Sequence, residues 1–180
     1  INSCQFYFSM NSLKSYIRDV PNFPKKGIHF KDITSLLKSP EGVALCLESL
    51  LSQLQTIKVD KVVAIEARGF FFGMLLAQAL KVPFIPVRKS GKLPRKVVAQ
   101  AYDLEYGSDV LEMHEDAIQK GDKVLIHDDV LATGGTVKAV CKMIESAGGQ
   151  IVQCNFIIKI NFLEGTKKID TYPVFAAVSY

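Results

Sequence analysis

Apolar positions along the 180-residue chain follow first a helical period and then a strand period. Leu13, Tyr16, Ile17 and Val20 follow Ser12 on one helical face and Pro21 ends the pattern, which predicts a short helix. Residues 1–9 precede Met10, match no element and read as an N-terminal extension. The segment Pro21 to Gly27 is turn chemistry, and Ile28, His29 and Phe30 follow as a short extended piece. Ser39 and Pro40 pair as N-cap and first helical residue of a helix to about Leu54, with Val43, Leu47, Leu50, Leu51 and Leu54 inward.

From Lys61 the pattern changes to continuous apolar runs, Val62 to Ile65, Val82 to Val87, Val124 to Ile126 and Ile151 to Ile158, which are the mark of strands buried on both faces. Helical stretches from Phe70 to Leu80 and from Thr136 to Ala147 separate them, and Gly148 and Gly149 stop the second. This alternation predicts an α/β fold, an open and mostly parallel sheet with helices on both faces. The piece from Val97 to Met113 reads as two strands joined at Tyr106-Gly107-Ser108, a hairpin projecting from the sheet. Ligands of such sheets bind at the carboxyl ends of the strands, so the residues after Ile65, Val87 and His127 carry the functional question.

Length and composition narrow the classes. A chain of 180 residues that is 48% hydrophobic suits one domain, 1–180, with a substantial core. The net charge of +4 is too small to imply nucleic-acid binding. Much of it sits together: Arg88, Lys89, Lys92, Arg95 and Lys96 crowd an acid-free stretch that Gly91 and Pro94 interrupt, a loop that presents cations to an anion. Aromatic interleaving is missing there, which disfavours nucleic acid, and the apolar run from Phe70 to Leu80 is too short to span a membrane. Cys4, Cys46, Cys141 and Cys154 have no metal-site spacing and read as free thiols in a reducing, cytoplasmic compartment.

The strand ending at His127 runs into Asp128-Asp129-Val130-Leu131-Ala132-Thr133-Gly134-Gly135-Thr136 and then a helix. Small residues let the backbone approach a ligand closely, and N–H groups at the helix start converge on an anion. Thr133 and Thr136 add hydroxyls, completing a pocket suited to a phosphomonoester. Two adjacent carboxylates are costly unless a cation or hydroxyl donors satisfy them. Walker A and GxGxxG patterns are absent. The run Val124 to Thr136, VLIHDDVLATGGT, closely resembles the phosphoribosyl pyrophosphate signature of type I phosphoribosyltransferases. The resemblance implies that Asp128 and Asp129 hold the ribose hydroxyls and that Ala132, Thr133, Gly134, Gly135 and Thr136 cradle the 5'-phosphate.

After Ile65, the run Glu66-Ala67-Arg68-Gly69-Phe70 resembles that family's pyrophosphate loop, where an unusual backbone conformation is expected, and implies pyrophosphate contacts from Ala67 and Arg68. Bidentate Arg88 with Lys89 and Lys92 fits the same diphosphate. The segments PNFPKKGIHFKDIT (21–34), RKSGKLP (88–94) and YDLEYG (102–107) resemble the members acting on adenine, and the likeness covers the chain from about Leu13 to its end. It implies a hood at 21–34, a basic loop and flexible hairpin at 88–107, Phe30 stacked on the purine, backbone atoms of His29 and Lys31 reading its edge, and Ile160 closing the other face. Glu105 and Tyr106 would ride on a lid, with Glu105, Arg68, Asp128 and Asp129 as the catalytic set.

The implied reaction joins adenine to the ribose of phosphoribosyl pyrophosphate, giving AMP and pyrophosphate, with Mg²⁺ bound mainly through substrate and the enzyme a homodimer. One departure stands out: Lys159 precedes Ile160 where enzymes acting on adenine usually carry an acid. Some 6-oxopurine enzymes use a lysine near this strand, so hypoxanthine, guanine or xanthine is the alternative base, although strand alternation points Lys159 away from the face of Ile160. A phosphoribosyl-pyrophosphate-sensing regulator would need an added nucleic-acid module, and a non-catalytic phosphosugar binder fits poorly with Arg68, Lys89 and Glu105.

Overall fold

In the computed structural model, which describes residues 13–103 and 108–180, a seven-stranded sheet carries most of the chain. Its strands are β3 (Lys61–Ile65), β4 (Phe84–Lys89), β5 (Val97–Asp103), β6 (Ser108–His114), β7 (Lys123–Leu131), β8 (Gln150–Lys159) and β9 (Val174–Ser179). The order across the sheet is β5-β6-β4-β3-β7-β8-β9. β4, β3, β7, β8 and β9 are parallel, while β6 runs antiparallel to both β4 and β5. The predicted apolar runs lie within these strands, except that the run from Val82 enters the sheet two residues late, at Phe84.

Helices α1 (Thr34–Leu37), α2 (Pro40–Ser52), α3 (Gly69–Leu80) and α4 (Gly135–Ser146) complete the frame. Ser39 caps α2, its hydroxyl accepting from Gly42 N at 3.1 Å, an interaction worth about 1 kcal/mol. The core lies on both faces of the sheet. On one face α2 and α3 bury Cys46, Leu50, Phe72 and Leu76 against Val62, Leu125 and Ile157. On the other, α4 buries Val140, Cys141 and Ile144 against Val63, Ile126 and Cys154. Each large apolar side chain enclosed in this way contributes roughly 1.5–3 kcal/mol.

The beginning of the chain departs from expectation. Of the predicted helix, only Leu13 and Lys14 are helical among the described residues, and Arg18–Pro21 forms strand β1, antiparallel to β2 (His29–Asp32), with Val20 opposite Phe30 and Asp19 opposite Lys31. Leu13 and Ile17 still face the core, but ladder bonds to β2 outweigh the helical spacing beyond them. This two-stranded piece overlaps the segment 21–34 that was expected to form a hood. The hairpin of β5 and β6 joins the main sheet through only two residue pairs, Arg88 with Glu112 and Lys89 with Leu111, and runs on past β4. Strand β9 and helix α1 had no counterpart in the sequence pattern.

Candidate active site

The carboxyl ends of β3 and β7 open into a cavity of about 790 Å³ that residues 27–31 also line. Asp128 and Asp129 line it from the end of β7, Ala132 from the turn that follows and Thr136 from the start of α4, Ala67 and Arg68 from the β3–α3 connection, His29, Phe30 and Lys31 from β2, and Ile160 from just after β8. Strand β7 continues through the acid pair as far as Leu131. Gly134 then takes a left-handed φ of 78° as the N-cap of α4, a conformation open to glycine, with the backbone of Gly165 packed against it. Thr133, Gly134 and Gly135 belong to this turn without lining the cavity.

The acid pair is electrostatically expensive. Asp129 is buried and Asp128 half-buried, and burial pushes both carboxyls above the usual carboxylate range. The neighbouring Asp129 charge raises Asp128 further, whereas Arg68 opposes the shift in Asp129. Arg68 Nε stands 2.7 Å from Asp129 Oδ2, yet no hydrogen bond reaches that buried oxygen. Asp129 N donates to Asp128 Oδ1 at 2.8 Å. Behind the pair, His127 is fully buried with Nδ1 2.7 Å from Asn155 Oδ1, and burial lowers its pKa to about 4.

The peptide between Glu66 and Ala67 is cis, at the position where an unusual backbone was expected. Gly69 brings the start of α3 against the acid pair: a Cβ there would come within 2.9 Å of Asp128 Oδ1 and 3.1 Å of its Cα. The Arg68 guanidinium also sits 4.9 Å from the centroid of the Phe30 ring, so one cation touches both the acids and the aromatic of β2. On β2, Lys31 Nζ donates to Asp19 at 2.8 Å and stands 4.4 Å over the Tyr180 ring, while His29 Nδ1 lies 2.8 Å from the same carboxylate.

Arg88, Lys89 and Lys92 do not line the cavity. Arg88 Nε and Lys89 N both donate to Glu66 Oε2, at 3.1 and 2.9 Å, and Lys89 Nζ pairs with Asp109 at 2.9 Å. Glu105 and Tyr106 lie outside the described residues. Lys159, whose identity raised the 6-oxopurine alternative, is absent from the lining, whereas Ile160 is in it. Sequence reasoning gave no role to Glu66, Tyr102, Phe162, Leu163 or Tyr180, all of which line the cavity. Glu66 and Tyr102 stood inside segments already singled out; the other three belong to the end of the chain, where no motif marked them.

Comparison with known proteins agrees with this geometry. A family model described as the phosphoribosyl transferase domain matches residues 32–177. The adenine phosphoribosyltransferase of Flavobacterium johnsoniae is 62% identical over 168 residues, which cover 93% of this chain and 99% of that protein. The crystal structure of adenine phosphoribosyltransferase from Thermoanaerobacter pseudethanolicus has a TM-score of 0.92 at 46% identity, covering 95% of this chain and 99% of that one. The Saccharomyces cerevisiae enzyme, complexed with an imino-altritol bisphosphate and adenine, gives 0.91 at 36% identity, with coverage of 95% and 99%. With the matched domain spanning most of its length and with relatives this similar, the chain belongs to the phosphoribosyl transferase family and, within it, to the adenine phosphoribosyltransferases.

Proposed function

We propose that this protein transfers the 5-phosphoribosyl group from phosphoribosyl pyrophosphate to adenine, giving AMP and pyrophosphate, as a step of purine salvage. The observation that carries the reading is the single cavity in which an acid pair, the edge of a phosphate loop, an arginine and an aromatic hood converge. Asp128 and Asp129 hold the ribose hydroxyls, and the turn from Ala132 to Thr136 takes the 5'-phosphate on its backbone N–H groups. Ala67 and Arg68 face the pyrophosphate, with Arg88, Lys89 and Lys92 turning toward it from the neighbouring loop. Phe30 and Ile160 enclose the purine, and backbone atoms of His29 and Lys31 read its edge. Glu105 and Tyr106 belong to the lid, where Glu105 acts on the purine nitrogen or the leaving group. Catalysis consists of holding base and donor in line, keeping water out and stabilising charge on the departing diphosphate.

The residues fit a magnesium ion held largely by substrate. Among the described residues no three His, Cys, Asp or Glu side chains converge, but two carboxylates share the cavity and one buried oxygen, Asp129 Oδ2, accepts no hydrogen bond. Mg²⁺ commonly binds through one or two carboxylates plus phosphate oxygens, and Asp128 and Asp129 supply the protein's part here. Bound there, it would neutralise diphosphate charge. The protein works as a cytoplasmic homodimer in this reading: Cys46, Cys141 and Cys154 are free, and α3 exposes Phe71 and Met74 three residues apart on one face.

The test is turnover with phosphoribosyl pyrophosphate, Mg²⁺ and each purine in competition. Adenine should be preferred by about 10² or more, because the wrong edge leaves buried backbone groups unpaired. A preference for hypoxanthine or guanine would overturn the base assignment and make Lys159→Glu the next variant.

A further inference from the structure

Between β4 and β5 the chain turns sharply: Lys92 N donates to Lys89 O at 3.3 Å, and Gly91 has a φ of 76° at the third position, where such a turn favours glycine. The two central residues of this turn, Ser90 and Gly91, share one acceptor. Ser90 Oγ donates to Glu112 Oε1 at 2.6 Å and Gly91 N donates to Glu112 Oε2 at 2.9 Å, so both oxygens of a single carboxylate seat the turn. Glu112 lies on β6, opposite Arg88, and is only 8% exposed. A carboxylate that buried is costly unless its oxygens are bonded, and among the described residues these two bonds come from the turn. Ser90 N also donates to Val110 O at 3.1 Å, extending the short β4–β6 ladder.

We infer that Glu112 is a positioning residue for pyrophosphate binding, fixing the turn from which Arg88, Lys89 and Lys92 meet the diphosphate and tying that turn to the hairpin. The inference rests on the proposed reaction for its ligand, but its mechanics come from the bonds just described. Glu112 does not line the cavity and touches no substrate. It acts through the backbone at Gly91 and through Ser90. The same turn is gripped from its other end by Glu66, which accepts from Arg88 Nε and Lys89 N. The cationic loop is thus held between a carboxylate of the β3–α3 connection and one of the hairpin. Glu112 did not stand out in the sequence, because a strand glutamate between Leu111 and Met113 reads as an outward-facing position.

The experiment compares wild type, Glu112→Ala, Glu112→Gln and Ser90→Ala by calorimetric titration with magnesium pyrophosphate, by KM and kcat in turnover, and by thermal melting. Glu112→Ala should weaken pyrophosphate binding and raise the KM for phosphoribosyl pyrophosphate about tenfold, leaving the KM for adenine within about twofold. Glu112→Gln keeps an oxygen for Gly91 N and should recover most of that loss, and Ser90→Ala should lose about threefold without a change in Tm. If Glu112→Ala does not fold, Ser90→Ala and Glu112→Gln carry the test. Equal pyrophosphate affinity in the folded variants and wild type overturns the inference, as does a loss shared equally by adenine. A wild-type protein that binds pyrophosphate with this Glu112 dependence but makes no AMP would remove the proposed reaction and keep the anchoring role.

Discussion

The carboxyl end of β7 carries two adjacent acids, Asp129 only 5% exposed and Asp128 half-buried, and both line the cavity beside the turn into α4. The end of β4 is its opposite: Lys89 is exposed and Arg88 half-buried, and both rest on acids of neighbouring elements, Arg88 on Glu66 and Lys89 on Asp109. The first is organised before any ligand arrives, and the cost appears as carboxyls held above their usual range. The second is parked, and in the proposed reaction its side chains exchange one anion for another. In the proposed reaction, a site built this way spends stability where the ribose is held and keeps adjustability where the leaving group departs.

Neutralising the buried pair should have the largest effect. Asp128→Asn or Asp129→Asn should lower kcat/KM by about 10² or more, the scale of an oriented transition-state contact. Because the folded-state pKa of Asp128 is raised, its ionised form at neutral pH works against folding, and Asp128→Asn should melt higher by a few degrees, about 1 kcal/mol corresponding to roughly 2–4 °C in a chain of this size. An Asp128→Asn protein that is active, or inactive with a lower Tm, would contradict a preorganised and costly pair.

A smaller effect comes from His127, directly behind the acids. Its folded pKa of about 4 lies below the ordinary 6.5, so the stability tied to the neutral ring is whole above pH 6.5 and is lost as pH falls toward 4. By pH 5 the loss is roughly 2 kcal/mol. The acid pair has the opposite sign, since groups with raised pKa take up protons in the folded state first and add stability on acidification. Urea midpoints between pH 7 and 5 should therefore fall more steeply in Asp128→Asn than in wild type, and less steeply in His127→Gln. Parallel profiles for all three would show that neither group is as buried electrostatically as its surroundings imply.

The contrast also explains what the amino-acid sequence made legible. β3, β7, β8 and the helices α3 and α4 could be read because burial on both faces leaves unbroken apolar runs, and Asp128, Asp129 and Arg68 because their chemistry at strand ends is out of place in a core. Arg18–Pro21 could not: the helical spacing from Leu13 to Val20 competes with a ladder to β2 that exists only after the chain folds back at Pro21 to Gly27. β9, six residues after Pro173, was short enough to pass as the tail of the chain. The parking partners of the basic loop were harder to see, because Glu66 meets it through the pairing of β3 and β4, Asp109 and Glu112 through that of β4 and β6, and none of them through a local pattern.

The parked state itself can be tested at its weakest link. Lys89 Nζ and Asp109 form an exposed ion pair, with the lysine side chain 57% exposed, so the pair is screened by water and separates easily. The pairing still has direction: Asp109 raises the pKa of Lys89, and Lys89 holds the carboxyl of Asp109 below its ordinary range. Asp109→Asn releases the lysine from its resting partner and should tighten pyrophosphate binding by about threefold at low salt, an advantage that shrinks as salt rises. Lys89→Met should weaken binding by about fivefold and flatten its salt dependence. In the double variant the Asp109 substitution should have no further effect, because there is no lysine left to release, and the two changes are then non-additive. If Asp109→Asn tightens binding as much in the Lys89→Met background as in wild type, the aspartate acts only through the general field, and the loop after β4 is not parked on it.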